Sequence, residues 1–347
     1  MENRTERPSM IRILREWFFK SAPTVPSEPV PVVARRRSDF GAPRAGALEV
    51  TWLGHSTALI DIDGTRVLLD PVWAERASPV QFAGPKRFFD PPIALDELPD
   101  PDVVLLSHDH YDHLDKATVR VLARRGIRFI VPTGVGERFR KWGIDTEQVT
   151  EVAWWDEIQV GEVTITATPA QHFSGRSMLM TDRNRTHWCG FALRGPERSL
   201  YYAGDTGWFD GFTEIGEALG PFEMTLIEVG AYNRLWTDIH IGPEQGVRAV
   251  RTVQGGLMIP VHWGTFDLAM HGWTEPIERV LAAAAKQGVP VAVPRPGETV
   301  DPSDPPSVER WWPNLPWQTA EEHPIVAARA RPTRSGPLNA AHVSRAG

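Results

Sequence analysis

Short apolar runs that end abruptly at polar residues are the most regular feature of this chain. Their length and their content of β-branched and aromatic residues are typical of buried strands. Such runs cover residues 48–53, 58–62, 66–69, 103–106, 164–168, 199–203 and 257–261. Asp63 and Gly64 separate the second run from the third and are a favoured pair for a hairpin turn. Most of the predicted sheet structure comes from these segments.

Four helices are predicted from apolar residues at helical spacing, over residues 119–125, 136–142, 243–253 and 275–287. Pro243 suits a first helical position, and Gly126, Gly143 and Gly288 are typical helix stop signals. Strands that alternate with helices indicate a layered α/β fold. We therefore predict an α/β protein, and no internal repeat on the scale of a solenoid is visible.

A cluster of potential metal ligands directly follows the apolar run at residues 103–106. It holds His108, His110, Asp112 and His113 within six residues. Imidazole nitrogens and carboxylate oxygens are usual ligands of catalytic zinc, and this spacing lets one loop turn several of them inward. A solvated polar loop would not explain why three of the chain's eleven histidines fall there. The cluster predicts a metal site at the carboxyl end of a strand.

One loop cannot complete a metal site, and three further candidates follow other predicted strands. His172, Asp205 and His262 each lie just after an apolar run. Taken singly, each has an ordinary alternative, namely a capping aspartate or a core histidine bonded to the backbone. The same arrangement at four strand ends favours one shared site over four separate explanations.

The motifs around these residues resemble those of the metallo-β-lactamase superfamily. Within it they are most similar to the branch containing N-acylphosphatidylethanolamine-hydrolysing phospholipase D and its bacterial relatives. The similar segments are residues 52–57, 70–72, 84–88, 169–176, 204–207 and 259–266. The resemblance implies an αββα sandwich, in which two mixed β-sheets are flanked by helices and a two-metal site lies on the edge of the sheets.

Carried over position by position, the resemblance implies two zinc ions (Zn2+) per chain. The implied ligands of the first are His108, His110 and His172, those of the second are Asp112, His113 and His262, and Asp205 bridges both. A hydroxide shared between the metals is the implied nucleophile. Asp112 would also orient that hydroxide or accept its proton.

Two further histidines have two interpretations each. His240 lies where the family has a histidine near the metals, but Gly242 stands where an acidic residue is usual. We group His240 with Asp112 and Asp205 as a predicted catalytic residue, against the alternative of a structural role. His55 follows the first predicted strand and either lines the site or fixes its loop through a hydrogen bond.

Composition and net charge argue against some classes of function but do not identify one. The 347 residues carry a formal net charge of −7, which argues against a general nucleic-acid binder. Cys189 is the only cysteine, so no intramolecular disulfide can form and a reducing cytoplasm is the expected compartment. We predict that Cys189 is a small buried side chain. No signal-peptide pattern and no apolar run of about 18 residues is visible, so neither secretion nor a membrane span is expected.

The two ends of the chain lie outside the resemblance. Met10, Ile11, Leu14, Trp17 and Phe18 recur at helical spacing and predict an amphipathic helix. Such a helix could contact the inner face of the membrane, dock on its own domain or form a homodimer contact.

We therefore predict three parts of the chain. Residues 1–45 form the helix, whose candidate membrane contact is residues 10–19, and an extended arm. Residues 46–300 form the hydrolase domain. Residues 301–347 form a mostly irregular tail whose first part packs onto the body through Trp311, Trp312 and Trp317.

The sequence thus predicts a zinc-dependent phosphodiesterase of phospholipase D type. Its expected substrates are N-acylphosphatidylethanolamine-like phospholipids or related small phosphodiesters, because a cationic two-metal site suits an anionic group. The same site attacks carbonyl groups elsewhere in the superfamily, so a lactonase or another ester, amide or β-lactam-like hydrolase is the alternative. A metal-binding protein without catalysis is the third option.

Overall fold

The computed structural model of this protein describes residues 22–325. Its strands are β1 (Leu48–Gly54), β2 (Thr57–Ile62), β3 (Thr65–Leu69), β4 (Val103–Leu105), β5 (Arg128–Pro132), β6 (Val149–Val152), β7 (Glu157–Val160), β8 (Val163–Thr168), β9 (Gly190–Arg194), β10 (Ser199–Tyr202), β11 (Phe222–Glu228), β12 (Gly255–Val261) and β13 (Thr299–Val300). Its α-helices are α1 (Lys116–Arg124), α2 (Gly136–Lys141), α3 (Gly211–Leu219), α4 (Pro243–Thr252) and α5 (Glu275–Gln287). Short 3₁₀ turns are found at Arg37–Asp39 and Thr146–Gln148.

These strands form two mixed sheets. The first has seven strands in the order β13-β1-β2-β3-β4-β5-β6, antiparallel from β13 to β3 and parallel from β3 to β6. The second has six strands in the order β12-β11-β10-β9-β8-β7, parallel from β12 to β10 and antiparallel beyond. The parallel strands of each sheet deliver their carboxyl ends to one edge, where polar loops begin.

Alternation along the strands buries both faces of the first sheet. On β2, Ile60 and Ile62 belong to the core between the two sheets, together with Phe191 and Leu193 of the second sheet. Leu59, which directly precedes Ile60, points to the other face and packs in a second core that includes apolar residues of α1 and α2. Helix α4 contacts β11 and β12, and α3 and α5 pack beside it. The predicted αββα sandwich is therefore confirmed.

The predicted elements recur with small shifts of their ends. Asp63 and Gly64 have φ values of 44° and 81°, as the predicted hairpin turn requires. Helix α1 begins at Lys116, three residues before its predicted start, because the Asp115 carboxylate caps it by accepting from the backbone N–H of Ala117 at 3.0 Å. Cys189 is buried, as predicted.

Both ends of the described chain run across the body. In the amino-terminal arm, the Val33 N–H donates to Pro296 O at 2.8 Å, and Val30 is buried. In the tail, Trp312 is buried, and Trp311 stacks on Trp263 with ring centroids 5.2 Å apart. The predicted amphipathic helix at residues 10–19 and the tail beyond residue 325 lie outside the described residues. Within residues 22–325, no helix combines the length and apolar character needed to cross a membrane.

Candidate metal centre

The predicted ligands lie together where strands of both sheets end. His108, His110, Asp112 and His113 follow β4 of the first sheet. From the second sheet, His172 follows β8, Asp205 follows β10, and His262 directly follows β12. Ligand atoms from these residues form overlapping groups, in each of which all atoms lie within 4.8 Å of one another.

Three imidazoles form the first group, which we call cluster 1. Its members are His108, His110 and His172. His110 Nδ1 lies 2.8 Å from His108 Nε2 and 3.3 Å from His172 Nε2. Nitrogens bound tetrahedrally to one zinc ion at ~2.05 Å would lie roughly 3.3 Å apart. The spacing of cluster 1 is therefore close to that of a shared metal.

The second group, cluster 2, combines a carboxylate with imidazoles. Its members are Asp112, His113, His262 and His55. Asp112 Oδ2 lies 3.3 Å from His262 Nε2, 3.5 Å from His113 Nε2 and 3.0 Å from His55 Nε2. Asp112, His113 and His262 are the ligands predicted from the sequence for a second metal.

Asp205 lies between the two clusters. Its Oδ2 is 3.0 Å from His262 Nε2 and 3.1 Å from His113 Nε2 in cluster 2. The same oxygen is 3.8 Å from both His108 Nε2 and His172 Nε2 in cluster 1. One carboxylate oxygen thus faces ligand nitrogens of both clusters, which is the position of a bridging ligand.

Hydrogen bonds on the far side of several imidazoles determine which nitrogen faces the site. His172 Nδ1 bonds Ile239 O at 2.8 Å, and His113 Nδ1 bonds Asp70 Oδ2 at 2.7 Å. Ser107 Oγ donates to Asp70 at 2.6 Å and lies 2.9 Å from His108 Nδ1, so it accepts from that nitrogen. In all three histidines these bonds hold the proton on Nδ1, so Nε2 is the nitrogen offered to the centre.

The structure supports both interpretations of His55. Its side chain contacts Asp112, while its backbone N–H donates to Thr265 Oγ1 at 2.7 Å and its carbonyl accepts from the His262 N–H at 3.0 Å. His55, Asp70 and His262 have φ values of 54°, 36° and 63°, a left-handed conformation that costs side-chain-bearing residues about 1 kcal/mol or more. These hydrogen bonds help to offset that cost and hold the loops at the site.

Glu228, at the carboxyl end of β11, is a site residue that the sequence reasoning missed. Its Oε2 lies 2.7 Å from His240 Nδ1, and its Oε1 accepts from the Thr206 N–H at 2.5 Å. The His240 ring lies 5.0 Å from that of His172 and 5.3 Å from that of His262. The signal that could have revealed Glu228 is the one used elsewhere, a polar residue at the end of an apolar run.

Gly242, the departure from the family pattern, has a local explanation. A Cβ at this position would lie 2.9 Å from the Ile325 Cβ in the tail. Ile325 is buried, so a larger residue at position 242 would displace this part of the tail. The carboxylate that contacts His240 is that of Glu228.

Burial and charge act differently on the two clusters. Burial lowers the pKa of His110 to about 4 and holds the pKa values of His108 and His172 well below their ordinary value. Burial also acts to lower the pKa of His262, but the carboxylates of Asp205 and Asp112 outweigh it and raise that pKa to about 10. Cluster 1 therefore offers neutral imidazoles, and the carboxylates around cluster 2 favour positive charge there.

Arg176 and Asp109 support the ligand loop without belonging to either cluster. Arg176 Nη1 donates to the carbonyls of Asp109 and Leu114, both at 2.7 Å, and its guanidinium lies 3.8 Å from the centre of the Tyr111 ring. Asp109 Oδ1 accepts from the Gly175 N–H at 2.8 Å, on the other loop that reaches the site. The loop that carries four predicted ligands is thereby fixed to the loop after His172.

Several buried polar atoms of the site lack hydrogen-bond partners among the described residues. They include Asp205 Oδ1, His113 Nε2 and His262 Nε2; the contacts of these two nitrogens with Asp205 Oδ2 at 3.1 and 3.0 Å lack hydrogen-bond geometry. Buried polar groups are normally satisfied, so these atoms indicate a binding partner other than protein. Imidazole nitrogens and carboxylate oxygens around a small space fit divalent metal ions.

A family comparison agrees with this geometry. Residues 65–263, which include every predicted ligand, match the model of the beta-lactamase superfamily domain. The chain belongs to the metallo-β-lactamase superfamily. With the His and Asp clusters described above, it is a metal-dependent hydrolase of that superfamily.

Relatives extend the similarity beyond this domain. An uncharacterized protein of Mycobacterium tuberculosis is 46% identical over 313 residues, covering 88% of this chain and 82% of that protein. N-acyl-phosphatidylethanolamine-hydrolyzing phospholipase D 1 of Caenorhabditis elegans is 38% identical, covering 74% of this chain and 75% of that protein. A metal-dependent hydrolase of Methanopyrus kandleri is 32% identical, covering 63% and 85%.

A solved structure shares the fold of this superfamily member. An isothiocyanate hydrolase from Delia radicum gut bacteria superposes with a TM-score of 0.59 at 22% identity, covering 73% of this chain and 98% of that one. At this identity the similarity concerns the fold alone.

Proposed function

We propose that this chain is a binuclear zinc phosphodiesterase of phospholipase D type. Its proposed substrates are N-acylphosphatidylethanolamine-like phospholipids, hydrolysed to phosphatidic acid and an N-acylethanolamine. The observation that carries the proposal is Asp205 Oδ2, which faces nitrogens of both clusters at 3.0 to 3.8 Å. The substrate class is supported by the 38% identical relative named for that activity.

The proposed ligand sets follow the clusters. His108, His110 and His172 would hold one zinc ion, Asp112, His113 and His262 the other, and Asp205 would contact both. Zinc bound in this way supplies a Lewis acid and lowers the pKa of bound water to about 7. Because only two carboxylates, Asp112 and Asp205, lie among these ligands, the loaded site keeps a net positive charge that favours an anionic phosphodiester.

Asp112 is suited to orient the attacking water. Burial acts to raise its pKa, but His113, His262 and His55 outweigh burial and hold that pKa well below the ordinary value. The carboxylate is therefore ionised at neutral pH and can accept a hydrogen bond from the attacking water, which orients that water. Its low pKa makes it a weak base. Its 3.0 Å contact with His55 Nε2 fixes its orientation.

His240 is placed to contact the substrate. Its Nδ1 is bonded to Glu228, which leaves Nε2 as the nitrogen that can bond a phosphate or leaving-group oxygen. Burial lowers the pKa of His240 to about 4, so the imidazole is neutral at pH 7. Burial and the Asp205 carboxylate hold the pKa of Glu228 well above its ordinary value, so its carboxyl would donate to His240 Nδ1. The imidazole proton would then be on Nε2, which can donate to a phosphate or leaving-group oxygen.

Activity assays on the zinc-loaded protein test the proposal. It should hydrolyse bis(p-nitrophenyl) phosphate, and it should release phosphatidic acid from N-acylphosphatidylethanolamine in detergent. The double substitution His108→Ala/His110→Ala should abolish both reactions, whereas His187→Ala, outside both clusters, should not. Efficient opening of a lactone without phosphodiester turnover, in fully metallated protein, would refute the proposal in favour of carbonyl chemistry.

A further inference from the structure

Two loops beside the metal centre hold large apolar side chains in solvent. We call residues 173–186 the Met178 loop and residues 74–87 the Phe82 loop. Met178, Leu179 and Phe82 are 85%, 84% and 85% exposed, more than any other large apolar side chain in residues 22–325. Exposed apolar groups are unfavourable in water, so their concentration on two loops indicates a surface that they contact.

The base of the Met178 loop is fixed to cluster 1. The ring of Phe173 lies 4.5 Å from that of His110 and 4.9 Å from that of His172. Near the tip, Asp182 accepts from the backbone N–H groups of Arg176 at 3.0 Å and Ser177 at 2.9 Å. The position of the tip is therefore tied to the metal centre.

The tip itself is an ordered turn. The Met180 N–H donates to Ser177 O at 2.9 Å, and Thr181 Oγ1 donates to Ser177 Oγ at 2.8 Å. Residues 177–181 contain no charged side chain. These bonds hold Met178 and Leu179 outward, so their exposure is built into the turn.

The Phe82 loop is also fixed at its base. Its base closes through the Arg87 N–H, which donates to Glu75 O at 2.9 Å. The next residue, Phe88, donates its N–H to Thr265 O at 2.8 Å, three residues after His262 of cluster 2. The Phe82 loop is thus tied to the segment after His262 of cluster 2, as the Met178 loop is tied to cluster 1.

Positive charge accompanies both loops. The Met178 loop has three arginines and one aspartate, and the Phe82 loop has two arginines and one lysine against one glutamate. The chain as a whole carries a net charge of −7, so both loops depart from its average. On the Phe82 loop, Lys86 is exposed but ion-paired with Glu75 at 2.9 Å, and Arg87 is buried. The exposed charge therefore lies mainly on Arg183 and Arg185 of the Met178 loop. Apolar tips beside cationic groups are typical of segments that bind anionic lipid surfaces.

We propose that the Met178 and Phe82 loops dock the enzyme on a phospholipid surface, with Met178, Leu179 and Phe82 inserted at the acyl boundary and the metal centre at the depth of the headgroups. This inference rests on the proposed function, because a phospholipid phosphodiester lies at that depth. A second protein is a poorer fit. The three side chains could bury roughly 500 Å², whereas a stable protein interface needs about 800 Å² per partner.

A site-specific fluorescent label tests insertion. Burial raises the pKa of the Cys189 thiol, so an environment-sensitive probe such as NBD should react with a cysteine introduced at the surface instead. In the full-length protein, a probe at Met178→Cys should brighten and shift to shorter wavelength with vesicles of phosphatidylcholine and phosphatidylglycerol. The control is Glu197→Cys, in the turn between β9 and β10 at the opposite edge of the sheet. An unchanged probe at position 178, or equal changes at both positions, would overturn the proposal.

Partitioning onto the same vesicles provides a second test. Met178→Ser/Leu179→Ser should weaken binding about tenfold or more, because two exposed apolar side chains lose their transfer free energy. The exchange Met178→Leu/Leu179→Met keeps the apolar surface and should keep binding, and Phe82→Ser should weaken it independently. Unfolding temperatures near that of the wild type would establish that the variants are folded.

The outcomes separate this inference from the proposed function. Vesicle binding requires no turnover, so an enzyme that binds vesicles but hydrolyses no phosphodiester contradicts the proposed function alone. A wild-type enzyme that hydrolyses bis(p-nitrophenyl) phosphate but does not bind vesicles contradicts the docking alone. A serine variant that binds vesicles like the wild type but loses self-association would assign the loops to a contact between copies of the chain.

Discussion

His113 Nδ1 lies 2.7 Å from Asp70 Oδ2, and neither side chain is exposed to solvent. Asp70 also accepts from Ser107 Oγ, which in turn accepts from His108 Nδ1. One carboxylate outside both ligand sets therefore orients His108 of cluster 1 and His113 of cluster 2. Such partners fix the tautomer of a ligating histidine and raise its basicity.

The substitution Asp70→Asn should weaken metal binding about 10- to 100-fold. An asparagine can turn its amide toward His113 Nδ1 as a donor, which would move the imidazole proton to Nε2, the nitrogen that faces the metal centre. Competition of the enzyme with a chelator of known zinc affinity measures the change. Wild-type zinc affinity in the folded variant would contradict the role assigned to Asp70.

Asp63→Asn is the matched control. Asp63 is also a buried carboxylate, and it accepts from the backbone N–H groups of Gly46 at 3.0 Å and Arg198 at 2.8 Å. It lies in the β2–β3 turn, away from the metal centre. This variant should lose stability while keeping the zinc affinity of the wild type, so a shared effect on folding can be separated from an effect on the site.

Glu228 and His240 should act as a unit in catalysis. His240→Ala should lower kcat/KM about 10²-fold without loss of metal, as expected for a group that handles protons or contacts the substrate. Glu228→Gln should lower kcat/KM because it weakens the hold on His240 Nδ1. In the double variant the loss should not exceed that of His240→Ala. If the losses in kcat/KM multiply in the double variant, the two side chains act separately. If His240→Ala loses a metal equivalent, His240 is a metal ligand.

Site residues that belong to a dense cluster or a recognisable motif could be predicted from the sequence. Site residues whose role depends on which strands are neighbours in the sheet could not. The ligand set was accessible because His108, His172 and His262 each follow an apolar run that forms a strand. Glu228 also ends such a run, but its importance depends on the position of β11 between β10 and β12 in the second sheet. That neighbourhood has no signature in the sequence around Glu228.

Helix α3 was missed for a different physical reason. Gly211 and Gly216 lower its intrinsic helix propensity and interrupt the apolar pattern. The packing of the helix requires the second glycine, because a Cβ at position 216 would lie 2.4 Å from Thr252 O at the end of α4. The close contact between α3 and α4 thus requires glycine, a residue of low helix propensity, at position 216. The sequence alone does not show this contact.

The Met178 loop should lose stability in acid through Asp182. Burial acts to raise the pKa of this carboxyl, but the N–H groups of Arg176 and Ser177 and the Arg138 guanidinium outweigh burial and lower that pKa to about 2. A carboxyl whose pKa is lower in the folded state stabilises the protein above its unfolded pKa of about 4. That contribution is lost as the pH falls from about 4 to 2.

Asp182→Asn should therefore reduce the free energy of unfolding by about 1–2 kcal/mol at pH 7. The difference from the wild type should shrink as the pH falls below about 4. Denaturant unfolding of the metal-free protein at several pH values measures it. Glu137→Gln, which removes a solvent-exposed ion pair with Arg140, should have little effect at any pH. A difference that does not depend on pH would contradict the assigned ion pairing of Asp182.

Removal of the bridging carboxylate should affect both metal sites at once. The purified wild-type protein should carry close to two zinc equivalents by elemental analysis, one for each cluster. Asp205→Ala should weaken both sites, because Asp205 Oδ2 faces nitrogens of clusters 1 and 2. His113→Ala should mainly empty the site of cluster 2, because His113 belongs to that predicted ligand set. If Asp205→Ala retains two metals at wild-type affinity, the carboxylate does not bridge, and the geometry around Oδ2 would require another explanation.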